Sequence, residues 1–242
     1  VTYAVISDIH GNLEALEAVA AELDKLSPGK VLCLGDIVGY GASPNECVER
    51  TRELAAVTVA GNHDFGVAGL TDITFFNHYA RQAIVWTAQV IKPEYAEYLR
   101  GLPLSHAEDD KLRIVHATPS QPGRWNYIFT SRQALEEFKA FDEKICFIGH
   151  SHQPCMFEML DAETIVVNSD HVKIVEGREY IINVGSVGQP RDGDPRACLC
   201  VYDEDEGEVS IKRVTYDVEG AKRKIVDANL PPVLANRLSW GE

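Results

Sequence analysis

A chain of 242 residues with 45% hydrophobic content is long enough to bury a full core, and its six cysteines fall without the CxxC spacing of a zinc or redox motif. The formal net charge of −14 sets aside proteins that follow a long nucleic acid with a basic surface. No apolar run approaches the roughly 20 residues that cross a bilayer, so no membrane partner is expected and the protein reads as soluble and cytoplasmic.

The first apolar run, Tyr3 to Ile6, is followed by Leu13 to Leu26, where Leu13, Leu16, Val19, Ala20 and Leu23 recur at helical spacing. Together they read as a βα unit. Further strands are expected at Val31 to Leu34, Val57 to Ala60, Leu112 to Val115 and Ile145 to Ile148, and their continuous apolar character suits strands covered on both faces. Phe75 to Ile91 reads as an amphipathic helix and Pro93 to Leu99 as a short one opened by proline. Beyond His152 the pattern becomes hairpin-like, with strands near Cys155 to Leu160, Thr164 to Val167, Val172 to Val175, Tyr180 to Asn183, Ala197 to Tyr202 and Val209 to Tyr216, then a helix near Val218 to Ala228. A second, mainly antiparallel sheet is implied. No linker, repeat or low-complexity tract divides the chain. The expected fold is α/β (α+β): a single domain over residues 1–242 with two β-sheets packed face to face and helices outside, an αββα sandwich.

Each of the five early strands ends in residues suited to metals: Asp8 and His10, then Asp36, then Asn62, His63 and Asp64, then His116, then His150 and His152. Ligands collect at the carboxyl ends of strands in open α/β sheets, so these residues are expected to converge on one crevice. The i, i+2 spacing of Asp8 with His10 and of His150 with His152 places each pair on one side of an extended segment. Neighbouring Gly11, Gly35, Gly61 and Gly149 allow tight turns beside them. Any one histidine alone is as well explained as a hydrogen-bonded structural residue, and Asp36 or Asp64 alone as a helix N-cap. Five of eight histidines directly after strands are not plausibly independent. Mixed carboxylate and imidazole donors suit two divalent cations, Mn²⁺ first, with Fe, Zn or Ni as alternatives.

The ordered set Asp8-Ile9-His10, Gly35-Asp36, Gly61-Asn62-His63-Asp64, His116 and Gly149-His150-Ser151-His152 resembles the calcineurin-like metallophosphoesterase superfamily over residues 1 to 152. The segment Asn183 to Arg191, NVGSVGQPR, is similar to the small bacterial and archaeal phosphodiesterase branch and extends the resemblance over nearly the whole chain. The resemblance implies Asp8, His10 and His152 on one metal, Asn62, His116 and His150 on the other, Asp36 between them, and His63 free for chemistry. Where relatives commonly carry glycine after the fourth-motif histidine, this chain has Ala117, a methyl that narrows the pocket.

The implied reaction is hydrolysis of a small phosphodiester or nucleotide, dinucleoside polyphosphates among them, by in-line attack of a hydroxide held between the two cations. His63 is then the acid for the leaving oxygen, with Asp64 orienting its imidazolium. Arg191 is the candidate substrate-binding residue, and the expected partner is a small phosphorylated molecule. Base stacking on Trp125 or Tyr127 competes with ordinary packing. A phosphomonoesterase or protein phosphatase, a nuclease and a non-catalytic scaffold are the alternatives; the acidic balance weighs against the nuclease, and the intact ligand set against the scaffold.

Overall fold

Alternating apolar runs pair into two mixed, six-stranded sheets in a computed structural model that describes residues 1–108, 110–160, 163–167 and 169–242. The strands are β1 (Thr2–Ile6), β2 (Lys30–Cys33), β3 (Val57–Thr58), β4 (Ser105–Glu108), β5 (Leu112–Val115), β6 (Ile145–Ile148), β7 (Cys155–Leu160), β8 (Glu163–Val167), β9 (His171–Lys173), β10 (Glu179–Asn183), β11 (Ala197–Asp203) and β12 (Glu208–Val214). One sheet runs β3-β2-β1-β11-β12-β9 and the other β4-β5-β6-β10-β7-β8. The parallel pairs β1–β2 and β2–β3 lie at one side of the first sheet, β5–β6 and β6–β10 lie in the middle of the second, and antiparallel pairs complete both.

The strands after His152 therefore do not form a sheet of their own. β11, β12 and β9 extend the sheet begun by β1, while β10, β7 and β8 extend the one begun by β5 and β6. An apolar pattern states that a strand is covered on both faces; it does not name the neighbour that pairs with it.

Strand alternation builds the layers. Tyr3 and Val5 face the other sheet and meet Leu112, Ile114, Phe147 and Ile182 in the inter-sheet core. The alternate residues Ala4 and Ile6 pack outward on Leu16 and Val19 of the helix Leu13–Leu26, whose first turn is capped by the Asn12 side chain at 3.1 Å from the Ala15 amide. On the far side, Cys146, Ile148 and Ile181 pack against Ala134 and Phe138. All six cysteines are free, and five are buried.

The helix expected from Phe75 starts later. Asn77 accepts from the Ala80 amide at 2.9 Å and caps a helix over His78–Val90, after a separate 3-10 turn at Ile73–Phe75. A capping side chain ends the helical run more decisively than apolar periodicity extends it. The helices Pro44–Leu54 and Ser131–Glu137 and the strand β4 have no counterpart in the sequence reading.

Candidate metal centre

At the carboxyl ends of β1, β2, β5 and β6 the chain turns sharply, and the turns carry the chemistry. Asp8, His10, Asp36, His150 and His152 all adopt left-handed backbone, with φ of 53°, 51°, 51°, 67° and 61°. For residues with a β-carbon this conformation is uncommon and persists only where surrounding structure over-determines it. Here the Asp8 amide donates to Gly35 O at 3.0 Å, the His10 amide to Asp36 O at 2.9 Å, and the His150 amide to Asp8 Oδ2 at 3.0 Å, joining the two sheets. The i, i+2 pairs thus converge through left-handed turns rather than along extended strands. Gly61 is needed for the same crowding: a β-carbon there would sit 2.0 Å from Asp36 Oδ1.

Backbone carbonyls set the tautomers of four imidazoles. Val38 O faces His10 Nδ1 at 3.1 Å and Gln189 O faces His152 Nδ1 at 2.6 Å. Each neutral ring therefore donates from Nδ1 and carries its lone pair on Nε2, yet these two Nε2 atoms lie 3.1 Å apart. Asp8 Oδ1 stands 3.2 Å from His152 Nε2 and 3.7 Å from His10 Nε2, and it is buried without a hydrogen-bond donor. Acceptors that converge in this way form a group that a cation would satisfy.

A second convergence lies beside the first. Leu34 O faces His116 Nδ1 at 2.8 Å and Trp125 O faces His150 Nε2 at 2.9 Å, which turns His116 Nε2 toward His150 Nδ1 at 3.2 Å and Asn62 Oδ1 at 3.2 Å. Burial disfavours a charge on His116, but Asp36 and Asp8 outweigh it and raise the ring to about 9. The position draws a positive charge. His150 and His152 are instead pushed down by burial, with help from His116 and Arg191 respectively, to about 3 and about 4, which suits neutral donors. Asp36 belongs to both groups, with Oδ2 at 3.6 Å from His10 Nε2 and 3.4 Å from His116 Nε2. The donor set and its burial fit two divalent cations.

His63 and Asp64 sit beside this cluster in different ways. The His63 ring packs edge-on to His10 at 4.8 Å and Phe76 at 5.2 Å, and tilted against Tyr40 at 4.5 Å. Its Nδ1 is buried without a partner, and a ring nitrogen of His63 comes within ligand range of His10 and Asp36. Burial holds its pKa well below the ordinary value, and Asp36 is the carboxylate that works against this. The Asp64 carboxylate is turned away from that ring: Oδ1 accepts from the Ile37 and Val38 amides at 2.9 and 3.3 Å, and Oδ2 from the Gly61 amide at 3.0 Å. Asp64 thus pins the Asp36 turn to the helix Asn62–Val67 that carries His63, as the third helical residue whose carboxylate reaches back to the N-cap Gly61 rather than as the N-cap itself, and the hydrogen bonds given for it run to backbone amides and not to the His63 ring.

The calcineurin-like phosphoesterase superfamily domain matches residues 1–207. The chain belongs to this superfamily. It is 44% identical over 241 residues to an uncharacterized protein of Methanocaldococcus jannaschii, covering 98% of this chain and 97% of that protein. It also resembles the crystal structure of a metallophosphoesterase from Sphaerobacter thermophilus, at 39% identity and a TM-score of 0.88, covering 100% of this chain and 99% of the other. A hypothetical protein from Pyrococcus horikoshii shares the fold at 19% identity and a TM-score of 0.79, with 100% and 98% coverage. Family membership supports phosphoric ester hydrolysis as the class of reaction.

In this phosphoesterase the ligand cluster opens onto a cleft of about 520 Å³ lined by Asp36, Asn62, His63, His150 and His152, with Tyr40 and Arg191 on its wall. Tyr127 stacks on His150 at 4.0 Å and carries Phe129 on its outer face at 5.2 Å, whereas Trp125 is used for packing, edge-on to Phe65 and His116. Arg191 gives one N–H to Gln189 Oε1 at 2.8 Å and lies over the Tyr40 ring. The orienting carbonyls of Leu34, Val38, Trp125 and Gln189 were invisible to sequence reading, since any residue type supplies a carbonyl.

Proposed function

We propose that this phosphoesterase is a dinuclear enzyme that hydrolyses small phosphodiester or nucleotide substrates. Asp8, His10 and His152 would hold one divalent ion, Asn62, His116 and His150 the other, and Asp36 both. The observation that carries this reading is the paired convergence of imidazole nitrogens on either side of Asp36, each ring turned inward by a backbone carbonyl. Imidazole donors favour Mn²⁺ over Mg²⁺, with Fe, Zn or Ni as alternatives. When bound, two such cations polarise phosphoryl oxygens and activate water for in-line displacement.

The chain's own residues account for the other requirements. His63 on the cleft wall is the group placed to donate a proton to the departing oxygen; burial disfavours the charged ring, so it takes up that proton only beside the negative charge of the bound ester and passes it on as the leaving oxygen forms. Asp64 positions His63 and Asn62 by clamping their helix to the Asp36 turn. The cleft volume and the net charge of −14 favour small esters over long nucleic acid, and the rings of Tyr127 and Phe129 offer a surface to the group beyond the phosphate.

The test is a comparison of kcat/KM for metal-reconstituted protein on aryl phosphomonoesters, aryl phosphodiesters, cyclic nucleotides and dinucleoside polyphosphates. Diesters or nucleotides should lead, and chelation should abolish turnover. A clear preference for monoesters would replace the diesterase reading, and full activity in the metal-free protein would remove the dinuclear one.

A further inference from the structure

Most buried or half-buried arginines here are neutralised. Arg50 pairs with Glu53, Arg113 with Glu143, Arg178 with Glu158 and Arg213 with Asp192. Arg191 on the cleft wall and its neighbour Arg237 differ. Arg191 and Arg237 both point at one neutral atom, Gln189 Oε1, at 2.8 and 3.5 Å, and the Nε of each is buried without a partner. Among the described residues neither guanidinium forms an ion pair with a carboxylate. Burial and the adjacent Arg191 pull Arg237 below its ordinary pKa, and Tyr40 and Glu242 offset only part of this. In a chain of net charge −14, two guanidiniums held together without an anion are costly unless an anion visits them.

Their position relates them to the ligand cluster. Gln189 O orients His152 at 2.6 Å, the Arg191 amide donates to His152 O at 3.2 Å, and Arg191 lines the same cleft as His152 and His63. Gln189 Oε1 stands where an oxygen of a bound anion would be shared between the two forks. Planar guanidiniums suit phosphate oxygens, which they hold bidentately.

We propose that Arg191, Arg237 and Gln189 form a subsite for a second phosphoryl group, so that the substrate class is a phosphoester bearing another phosphate beside the one cleaved. This rests on the functional reading above for the place of the cleaved group. Arg191 stacks over Tyr40 and lines the cleft, while Arg237, from the 3-10 turn Arg237–Ser239, reaches the same Gln189 oxygen.

The experiment is a calorimetric titration of Mn²⁺-reconstituted protein with orthophosphate and with methylenediphosphonate, which carries two linked phosphonyl groups and is not hydrolysed. The unaltered protein should bind the diphosphonate more tightly. Arg237→Gln should cost the diphosphonate roughly tenfold to a hundredfold in affinity, the scale of a charged hydrogen bond, and leave orthophosphate unchanged. Gln189→Glu should produce the same selective loss by an independent route, because it gives both guanidiniums a carboxylate, and it decides the matter should Arg237→Gln fail to fold by circular dichroism. Unchanged diphosphonate affinity in the folded variants, or an equal loss for both anions, overturns the subsite. Binding is read without turnover, so an enzyme that hydrolyses none of the esters tried would count against the functional reading alone.

Discussion

Around Asp8 and Asp36 every candidate ligand is buried and the imidazoles are turned by backbone carbonyls, whereas Phe75 on the wall of the same cleft is 89% exposed and Phe129, stacked on the lining ring of Tyr127, is 55% exposed. The cluster is assembled from residues that follow five strands in two sheets, and left-handed backbone is accepted at several of them to bring the donors together. The rim is made from the connecting segments between strands. The contrast separates demands: chemistry needs fixed donors, while recognition of the rest of a substrate tolerates adaptable surface. If this division is right, changes in the cluster should damage every substrate and changes at the rim should discriminate among them.

The largest effect belongs to Asp36, whose carboxylate faces both groups of imidazoles. Asp36→Ala is expected to lower kcat by on the order of 10³-fold or more, as several kcal/mol of charge stabilisation convert to rate. Metal content should fall with it, and chelation of the unaltered protein should mimic the loss and lower its melting temperature, because converging acceptors then lack their cation. Elemental analysis showing two bound ions in an active Asp36→Ala protein would falsify the shared-ligand assignment.

Next comes His63, which lies between the two regions. His63→Ala should slow hydrolysis of alkyl or nucleoside esters by roughly 10² to 10⁴-fold, the scale of general acid catalysis, and slow nitrophenyl esters less because their leaving group needs little protonation. Metal content should stay constant. The group formed by His10, Asp36 and His63 gives this measurement its force, since loss of an ion from the variant would make His63 a ligand.

Asp64→Asn is smaller and tests a different role. Asp64 accepts three backbone amide bonds, so the variant should lose about 1 to 2 kcal/mol of stability, as for a lost cap, with the donor half of the new amide facing amides it cannot serve. Rates should fall evenly for all leaving groups. A penalty growing with leaving-group basicity, as for His63→Ala, would restore Asp64 as the partner of that ring.

These roles show which parts of the molecule were legible beforehand. The strand cores and the helix Leu13–Leu26 were readable because burial on both faces and helical periodicity leave direct marks on residue type. The set from Asp8 to His152 was readable because metal donors at successive strand ends are chemically unusual. Sheet membership was not, since β10 and β11 carry equally apolar runs but join different sheets. The geometry of the donors was hidden as well: left-handed turns at Asp8 or His150 follow from the surrounding hydrogen bonds, and neither residue type announces them. The roles of Asp64 toward Ile37 and Val38 and of Arg237 toward Gln189 were hidden for the opposite reason, because these partners lie 26 to 48 positions away.

The smallest effect is expected at the outermost ring. Phe129 stacks on Tyr127 at 5.2 Å and 13°, and Tyr127 in turn stacks on His150, so the aromatic ladder leads from a candidate ligand to solvent. Tyr127 is a poor site for the test, because its removal would disturb His150. Phe129 stacks on Tyr127 rather than on a candidate ligand, and more than half of its surface is open to solvent. Its loss should remove surface for an aromatic leaving group or nucleobase and little else. Phe129→Ala is therefore expected to raise KM for nitrophenyl or nucleoside esters by about threefold to tenfold, the scale of one aromatic pair, with kcat and metal content unchanged. Methyl phosphodiesters, which have no ring to stack, should show no change in KM. An equal rise in KM for both kinds of ester would mean that Phe129 shapes the cleft as a whole, and the division between a fixed cluster and a selective rim would then have to be drawn farther out.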